Sequence, residues 1–147
     1  MRLGRRDSRR QKGEPPPGYT EAHAASGLKG PLPRLETFAN QFPGYEVEIQ
    51  VAEFTSVCPK TGLPDFGKLV IRYGPDRRCL ELKSLKMYIL AYRNLGIFNE
   101  NVVNRVLRDI VGAAKPVWCE VRGDFSPRGG LSSAVTARFS RKNGFGT

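Results

Sequence analysis

The chain has 147 residues, of which 39% are hydrophobic and 26% charged, a length and composition typical of one globular domain. Its 24 Lys and Arg residues outnumber 14 Asp and Glu residues, and the net charge of +10 favours a polyanionic or phosphate-bearing partner over a cationic ligand. Without a long apolar run or a signal-peptide core, and with 3 cysteines but no CxxC pair, we expect a cytoplasmic protein with free thiols and no membrane span.

The first 33 residues differ in composition from the rest of the chain. Residues 1–33 are basic and rich in Pro and Gly, with few large apolar side chains. Such a segment cannot bury enough surface to offset its ordering entropy, so we expect a disordered tail over 1–33 and a single domain over 34–147. A nucleic-acid-binding arm is the functional alternative, but no aromatic side chains are interleaved with its basic residues for base stacking.

The first two elements of the domain are predicted to be strands. Apolar and polar residues alternate over 47–51 and again over 69–73, as in half-buried strands. The intervening loop, TSVCPKTGLPDF, is too long for a tight hairpin turn. Long ordered loops often carry function, so this loop is the first candidate site.

Two helices are predicted next. The apolar positions of the first are Leu85, Tyr88, Ile89 and Tyr92. A second stripe runs from Val102 to Val111, with Asn99 as the expected N-cap and Pro116 beyond its end.

Alternation returns over 117–121 and 135–139, with an RGG turn at 128–130 between these two strands. The element order is therefore ββααββ. It predicts an α+β fold in which two helices pack on one face of an antiparallel sheet.

The most informative cysteine is Cys58, which lies in the long loop with Lys60 near it and Asp65 seven residues on. A thiolate is the nucleophilic form of cysteine, and a nearby cation lowers its pKa. Spacing alone leaves two interpretations open, a catalytic nucleophile and an ordinary loop cysteine. Cys79 and Cys119 fall in strand-like segments and are predicted to be small buried hydrophobes.

Three other patterns each permit two interpretations. Lys83 and Lys86 can share a helix face that contacts phosphate, or a merely solvated face. Phe98 and Glu100 can stack on and hydrogen-bond a purine-like ring, or serve as a core aromatic and a first-turn acid. The RGG turn can approach a phosphate or only connect two strands.

In combination, these segments resemble one family. SVCPKTGLPDF, ELKSLKMY, RNLGIFNENVVNRV and RGG occur in this order on the ββααββ frame. The pattern resembles the single-domain NADPH-dependent 7-cyano-7-deazaguanine reductases of queuosine biosynthesis, which have the tunnelling fold. The resemblance covers about residues 35–140. Its most specific parts are the cysteine-to-aspartate loop and the signature E-[SL]-K-[SA]-x-K-[LY]-[YFW], from which only Met87 departs.

The resemblance implies a mechanism and a set of site residues. Cys58 would attack the nitrile carbon to form a covalent thioimide, and Asp65 would supply a proton to the nitrile nitrogen. Two hydrides, each from a separate NADPH, would complete the reduction without a metal. The implied substrate-binding residues are Leu80, Glu81, Leu82, Phe98, Asn99 and Glu100. The implied cofactor-binding residues are Lys83, Ser84, Lys86, Arg128 and Gly129.

The resemblance also implies a homo-oligomer, two stacked pentamers forming a decamer, with sites at subunit interfaces and a free base as substrate rather than bound RNA. One position departs from the family, which usually has histidine immediately before the substrate-anchoring glutamate. Here that position is Asn99, which can hydrogen-bond but cannot titrate near neutral pH. We expect Asn99 to keep a positioning role, while any proton relay runs through Asp65.

Three alternatives compete with this interpretation. An amidine-forming enzyme of the same fold, acting on the same nitrile in tRNA, would share the cysteine and aspartate but would not use NADPH. The basic tail favours it, whereas the ELKSLKMY signature argues against it. The zinc-dependent cyclohydrolases of this fold need His and Cys ligands that a chain with 1 histidine does not supply. A non-catalytic RNA-binding module would leave the Cys58–Asp65 loop without a role.

Overall fold

The computed structural model describes residues 20–146 of the chain. The elements are α1 (Glu21–Ala24), β1 (Thr37–Ala39), β2 (Val47–Val57), β3 (Pro64–Gly74), β4 (Arg78–Leu80), α2 (Leu82–Ala91), a 3-10 turn (Tyr92–Asn94), α3 (Asn99–Ala114), β5 (Trp118–Arg128), β6 (Leu131–Ser140) and β7 (Gly144–Phe145). None of the helices in this range has the length and apolar character needed to cross a bilayer.

The main sheet is antiparallel, with strand order β2-β3-β5-β6-β7, and β1 pairs separately with β4. Apolar residues of α2 and α3 form one buried cluster with the inward-facing residues of β3 and β5. The predicted ββααββ order, with both helices on one face of an antiparallel sheet, is therefore confirmed. The short strands β1, β4 and β7 add to it. Of these, β4 contains Cys79, which was placed in a strand-like segment, and β1 and β7 were not predicted.

The start of α3 differs from the sequence-based expectation. The N-cap is Phe98, in extended conformation with no side-chain capping bond, and Asn99 is the first helical residue. The prediction that Asn99 caps the helix is wrong because the Ile97 N–H is bonded to the carbonyl of Val57, which keeps the chain extended up to Phe98. The side-chain oxygen of Asn99 is buried and accepts no hydrogen bond from the residues described.

A β-bulge in β2 changes which residues near the end of this strand face the core. The register with β3 shifts between Val51 and Phe54, so the buried positions become Phe54 and Ser56, 2% and 0% exposed. In β3, every second residue from Tyr73 back to Asp65 faces the core without interruption, and Asp65 is only 6% exposed. The bulge thereby makes two polar residues, Ser56 and Asp65, a cross-strand pair that is shielded from water.

The described part of the predicted tail, residues 20–33, lies against α3. Asn101 and Arg105 on this helix donate hydrogen bonds to its backbone carbonyl groups. The rest of the predicted disordered tail, residues 1–19, lies outside the described residues. The domain boundary placed after residue 33 stays a prediction, and the contacts with α3 begin before that boundary.

Candidate active site

The end of β2 and the segment before α3 meet at a short parallel bridge. The Val57 N–H donates to the carbonyl of Leu95 at 3.0 Å, and the Ile97 N–H donates to the carbonyl of Val57 at 2.9 Å. Cys58 follows this bridge on one side, and residues 98–100 follow it on the other. The fold therefore brings the candidate nucleophile beside three of the predicted substrate-binding residues.

Hydrogen bonds within the Cys58 loop hold the thiol at the end of β2. The Cys58 N–H donates to the carbonyl of Leu63, and the Gly62 N–H donates to the carbonyl of Cys58, both at 2.9 Å. The hydroxyl of Thr61 accepts from the Leu63 N–H at 3.2 Å. Within this closed loop the side chain of Cys58 is half-buried, so that a small molecule can still reach the sulfur.

The surroundings of Cys58 favour its thiolate form. Burial raises the pKa of the thiol, but hydrogen bonds from the hydroxyl and N–H of Thr61, the N–H of Lys60 and the guanidinium of Arg128 bring the pKa below its ordinary value. Lys60 acts here through its backbone. By contrast, burial raises the pKa of Cys119 to about 12, which makes that thiol inert.

Asp65 and Arg128 form an ion pair beside this thiol. Arg128 is the last residue of β5, and its guanidinium donates to the Asp65 carboxylate, whose side chain is 8% exposed. Since Arg128 also contributes to the lowered pKa of Cys58, one cation connects the predicted nucleophile with the predicted acid. Gly129, predicted with Arg128 to bind cofactor, lies in the exposed turn after β5.

A second group of predicted residues lies at the other end of the sheet. The Leu80 N–H donates to the hydroxyl of Tyr73 at 3.0 Å. Tyr73 and Asp65 are eight residues apart on β3, a separation of roughly 25 Å along an extended strand. Leu80 is buried and Leu82 is exposed. Within one chain, residues 80–82 are therefore remote from Cys58.

Glu81 is the N-cap of α2, and its carboxylate accepts from the N–H groups of Ser84 and Lys83 at 2.7 and 2.8 Å. These bonds lower the pKa of Glu81. The hydroxyl of Ser84 donates to the carbonyl of Glu81 and accepts from the Glu36 N–H, both at 2.9 Å, so it orients the helix. Lys83 and Lys86 project from α2 with exposed side chains, and their ammonium groups fit the phosphates of a dinucleotide.

Two features of the site escaped the sequence analysis. The hydroxyl of Ser56 is buried opposite Asp65 and has no hydrogen-bond partner among the described residues. Its cross-strand position depends on the bulge, which strict alternation in β2 does not reveal. The contact of Arg128 with Asp65 was also missed. A signal for the burial of Asp65 was available, because this residue has an odd number, like the core-facing residues of the predicted strand 69–73.

Comparisons with known proteins show the family to which this chain is similar. The family described as QueF-like protein matches residues 64–144. The NADPH-dependent 7-cyano-7-deazaguanine reductase of Elusimicrobium minutum (strain Pei191) is 54% identical over 126 residues, covering 85% of this chain and 96% of that protein. Its counterpart in Chloroherpeton thalassium (strain ATCC 35110 / GB-78) is 53% identical over 107 residues, covering 71% and 92%.

A solved structure is similar in fold. The crystal structure of the archaeosine synthase QueF-Like in the apo form matches with a TM-score of 0.59 and 24% identity, covering 63% of this chain and 91% of that one. The likeness confirms the predicted tunnelling fold.

We predict that Arg128→Ala shifts the pH profile of Cys58 alkylation to higher pH. Arg128 helps to lower the pKa of this thiol, and without it burial is opposed by fewer hydrogen bonds. The rate of iodoacetamide modification, followed by peptide mass spectrometry across a pH series, measures the shift. Arg122→Ala is the matched control, because Arg122 lies on the same strand in an exposed pair with Asp124. Coinciding Arg128→Ala and wild-type profiles would contradict the prediction.

Proposed function

The chain belongs to the family of NADPH-dependent 7-cyano-7-deazaguanine reductases, and we propose that it works through a covalent thioimide on Cys58. It reduces the nitrile of 7-cyano-7-deazaguanine to the aminomethyl group in queuosine biosynthesis. The observation that carries the mechanism is the cluster of a half-buried thiol with lowered pKa, Asp65 and Arg128 at one end of the sheet. Its free thiols fit the reducing cytoplasm, where we infer that the enzyme acts.

In the first step the thiolate of Cys58 adds to the nitrile carbon. The Asp65 carboxylate accepts the proton that the Cys58 thiol loses as the carbon–sulfur bond forms. It then passes this proton to the nitrogen as one carbon–nitrogen π bond breaks, which yields the neutral thioimide. Arg128 holds the Asp65 side chain, and the same guanidinium interacts with the thiol of Cys58. Hydride is the chemistry that bound NADPH supplies, twice in each turnover.

The first turn of α3 is proposed to bind the deazaguanine ring. The side-chain oxygen of Asn99 is a buried acceptor with no donor among the described residues, so an N–H of the bound ring would complete its hydrogen bonding. Glu100 is exposed in the same turn and can accept from the amine edge of the ring, while Phe98 is half-buried beside it.

The remaining predicted residues are proposed to act from a second copy of the chain. Lys83 and Lys86 would hold the cofactor phosphates, and residues 80–82 would line the base pocket. Residues 80–83 lie toward the end of the sheet remote from Cys58, and Lys86 follows one helical turn after Leu82. The strands β2 and β7 are the edges of the main sheet, where backbone groups can pair with another chain. We therefore infer a homo-oligomer whose sites lie between subunits, and its construction from two stacked pentamers is what the family resemblance implies.

The covalent step predicts a mass adduct. Full-length protein mixed with 7-cyano-7-deazaguanine should gain the mass of one substrate molecule per chain, and NADPH should then be oxidised. Cys58→Ala should lose both the adduct and the absorbance change, whereas Cys119→Ala, at a buried cysteine, should retain them. Intact-mass spectrometry and NADPH absorbance measure the two steps. An adduct without NADPH oxidation would instead indicate the amidine-forming reaction, and absence of any adduct would contradict the thioimide mechanism.

The positioning role of Asn99 predicts a change in KM. Asn99→Ala should raise the KM for the deazaguanine about 5- to 150-fold, the cost of leaving a buried hydrogen-bonding group of the complex unpaired. Steady-state kinetics measures this. Asn104→Ala is the control, because the side-chain amide of Asn104 donates to the backbone carbonyl of Glu100 within the same helix. A many-fold rise of kcat in Asn99→His, with substrate binding unchanged, would show that a titrating group is needed at this position.

A site shared between subunits predicts complementation. Cys58→Ala and Lys83→Ala should each be nearly inactive, and a mixture allowed to exchange subunits should regain NADPH-oxidising activity, since some interfaces then combine two intact halves. Each variant exchanged only with itself is the control, and native mass spectrometry verifies the exchange. Mixed oligomers that stay inactive would place the whole site within one chain.

A further inference from the structure

The segment 24–30, named the strap here, is fixed to the first turns of α3 by side chains of that helix. The side-chain amide of Asn101 donates to the carbonyl of Ala24 at 2.7 Å. The guanidinium of Arg105 donates to two further strap carbonyls and also contacts Asp109 at 3.4 Å. With a side chain that is 11% exposed, Arg105 forms a shielded anchor for the strap.

The strap contacts the parallel bridge through two neighbouring residues. The hydroxyl of Ser26 donates to the carbonyl of Gly96 at 2.6 Å. Gly27 has a φ of +80°, and a Cβ at this position would lie 2.6 Å from the Ile97 Cβ and 2.7 Å from the Gly96 oxygen. Both the backbone angle and the close approach therefore require glycine.

On its other side, the bridge contacts the loop of the candidate nucleophile. A Cβ at Gly96 would lie 3.5 Å from the Ser26 hydroxyl and 3.7 Å from the Cα of Pro59. The residues that flank Gly96 are the ones that exchange hydrogen bonds with Val57, immediately before Cys58. A single layer of backbone thus separates the strap from the Cys58 loop.

We propose that the strap positions Cys58 and the first turn of α3 for the reaction, with Ser26 and Gly27 as positioning residues. The proposal rests on the proposed role of Cys58 as the nucleophile. Displacing the bridge moves the end of β2 and the beginning of α3 together, because both continue directly from it. Small displacements of a reacting group cause large losses of rate, so the position of the bridge affects catalysis although the strap does not touch the reacting atoms.

Substitutions in the full-length chain test this proposal. Gly27→Ala places a methyl group against the bridge, and Ser26→Ala removes one hydrogen bond with little risk to folding. Gly44→Ala is the matched control. Gly44 has a similar φ of +76°, but apart from its chain neighbours no described residue has a heavy atom within 4 Å of its Cβ position. For each protein, kcat, KM, the pH profile of Cys58 alkylation and the unfolding temperature are measured.

Gly27→Ala is expected to lower kcat/KM about tenfold or more and to move the alkylation profile to higher pH, as the loop donors lose their alignment with the sulfur. Ser26→Ala should change kcat/KM and the alkylation profile in the same directions but by less. Gly44→Ala should change neither quantity. Wild-type kinetics and alkylation profiles in Ser26→Ala and in folded Gly27→Ala, even with lower unfolding temperatures, would overturn the proposal. If wild-type protein forms no thioimide, the proposed function fails, and the alkylation profiles alone then decide the role of the strap.

Discussion

Two backbone hydrogen bonds, those that Val57 makes with Leu95 and Ile97, determine where Cys58 lies relative to the first turn of α3. They join the end of an edge strand to the start of a helix across the long stretch of chain that forms β3, β4 and α2. Because buried backbone groups need partners, this pairing fixes the position of both segments. The sulfur of Cys58 and the first turn of α3 cannot move independently while these bonds remain.

The ion pair beside Cys58 follows from the sheet itself. The regular alternation of β3 directs Asp65 into the protein, where an ionised carboxylate is costly without a partner. β5 is the neighbour of β3 on its other side, and it ends at Arg128. The guanidinium therefore meets the carboxylate at the point where β3 begins and β5 ends. The same cation favours the thiolate form of Cys58.

The sequence predicts those features of the fold and of the candidate site that depend on interactions between residues close together in the chain. The strand around Ile71 and the helix around Val106 follow from periodicity, because each buries one face and their side chains repeat accordingly. The N-cap of α3 was misplaced because a distant residue, Val57, controls the chain before Asn99. The bulge, the Arg128 contact and the strap all depend on register or on pairs far apart in sequence, for which periodicity carries no signal.

The distribution of positive charge gives a further reason to infer an assembly. Arg128, the cation that contacts both Cys58 and Asp65, is already paired with a carboxylate and is poorly suited to attract a phosphate as well. The lysines Lys83 and Lys86 project into solvent from α2, which begins near the remote end of β3. If these lysines hold the cofactor phosphates as proposed, we infer that a cofactor reaching the thioimide on Cys58 is shared between two chains. In that arrangement, the separation of the two residue groups within one chain is what makes the site depend on oligomer formation.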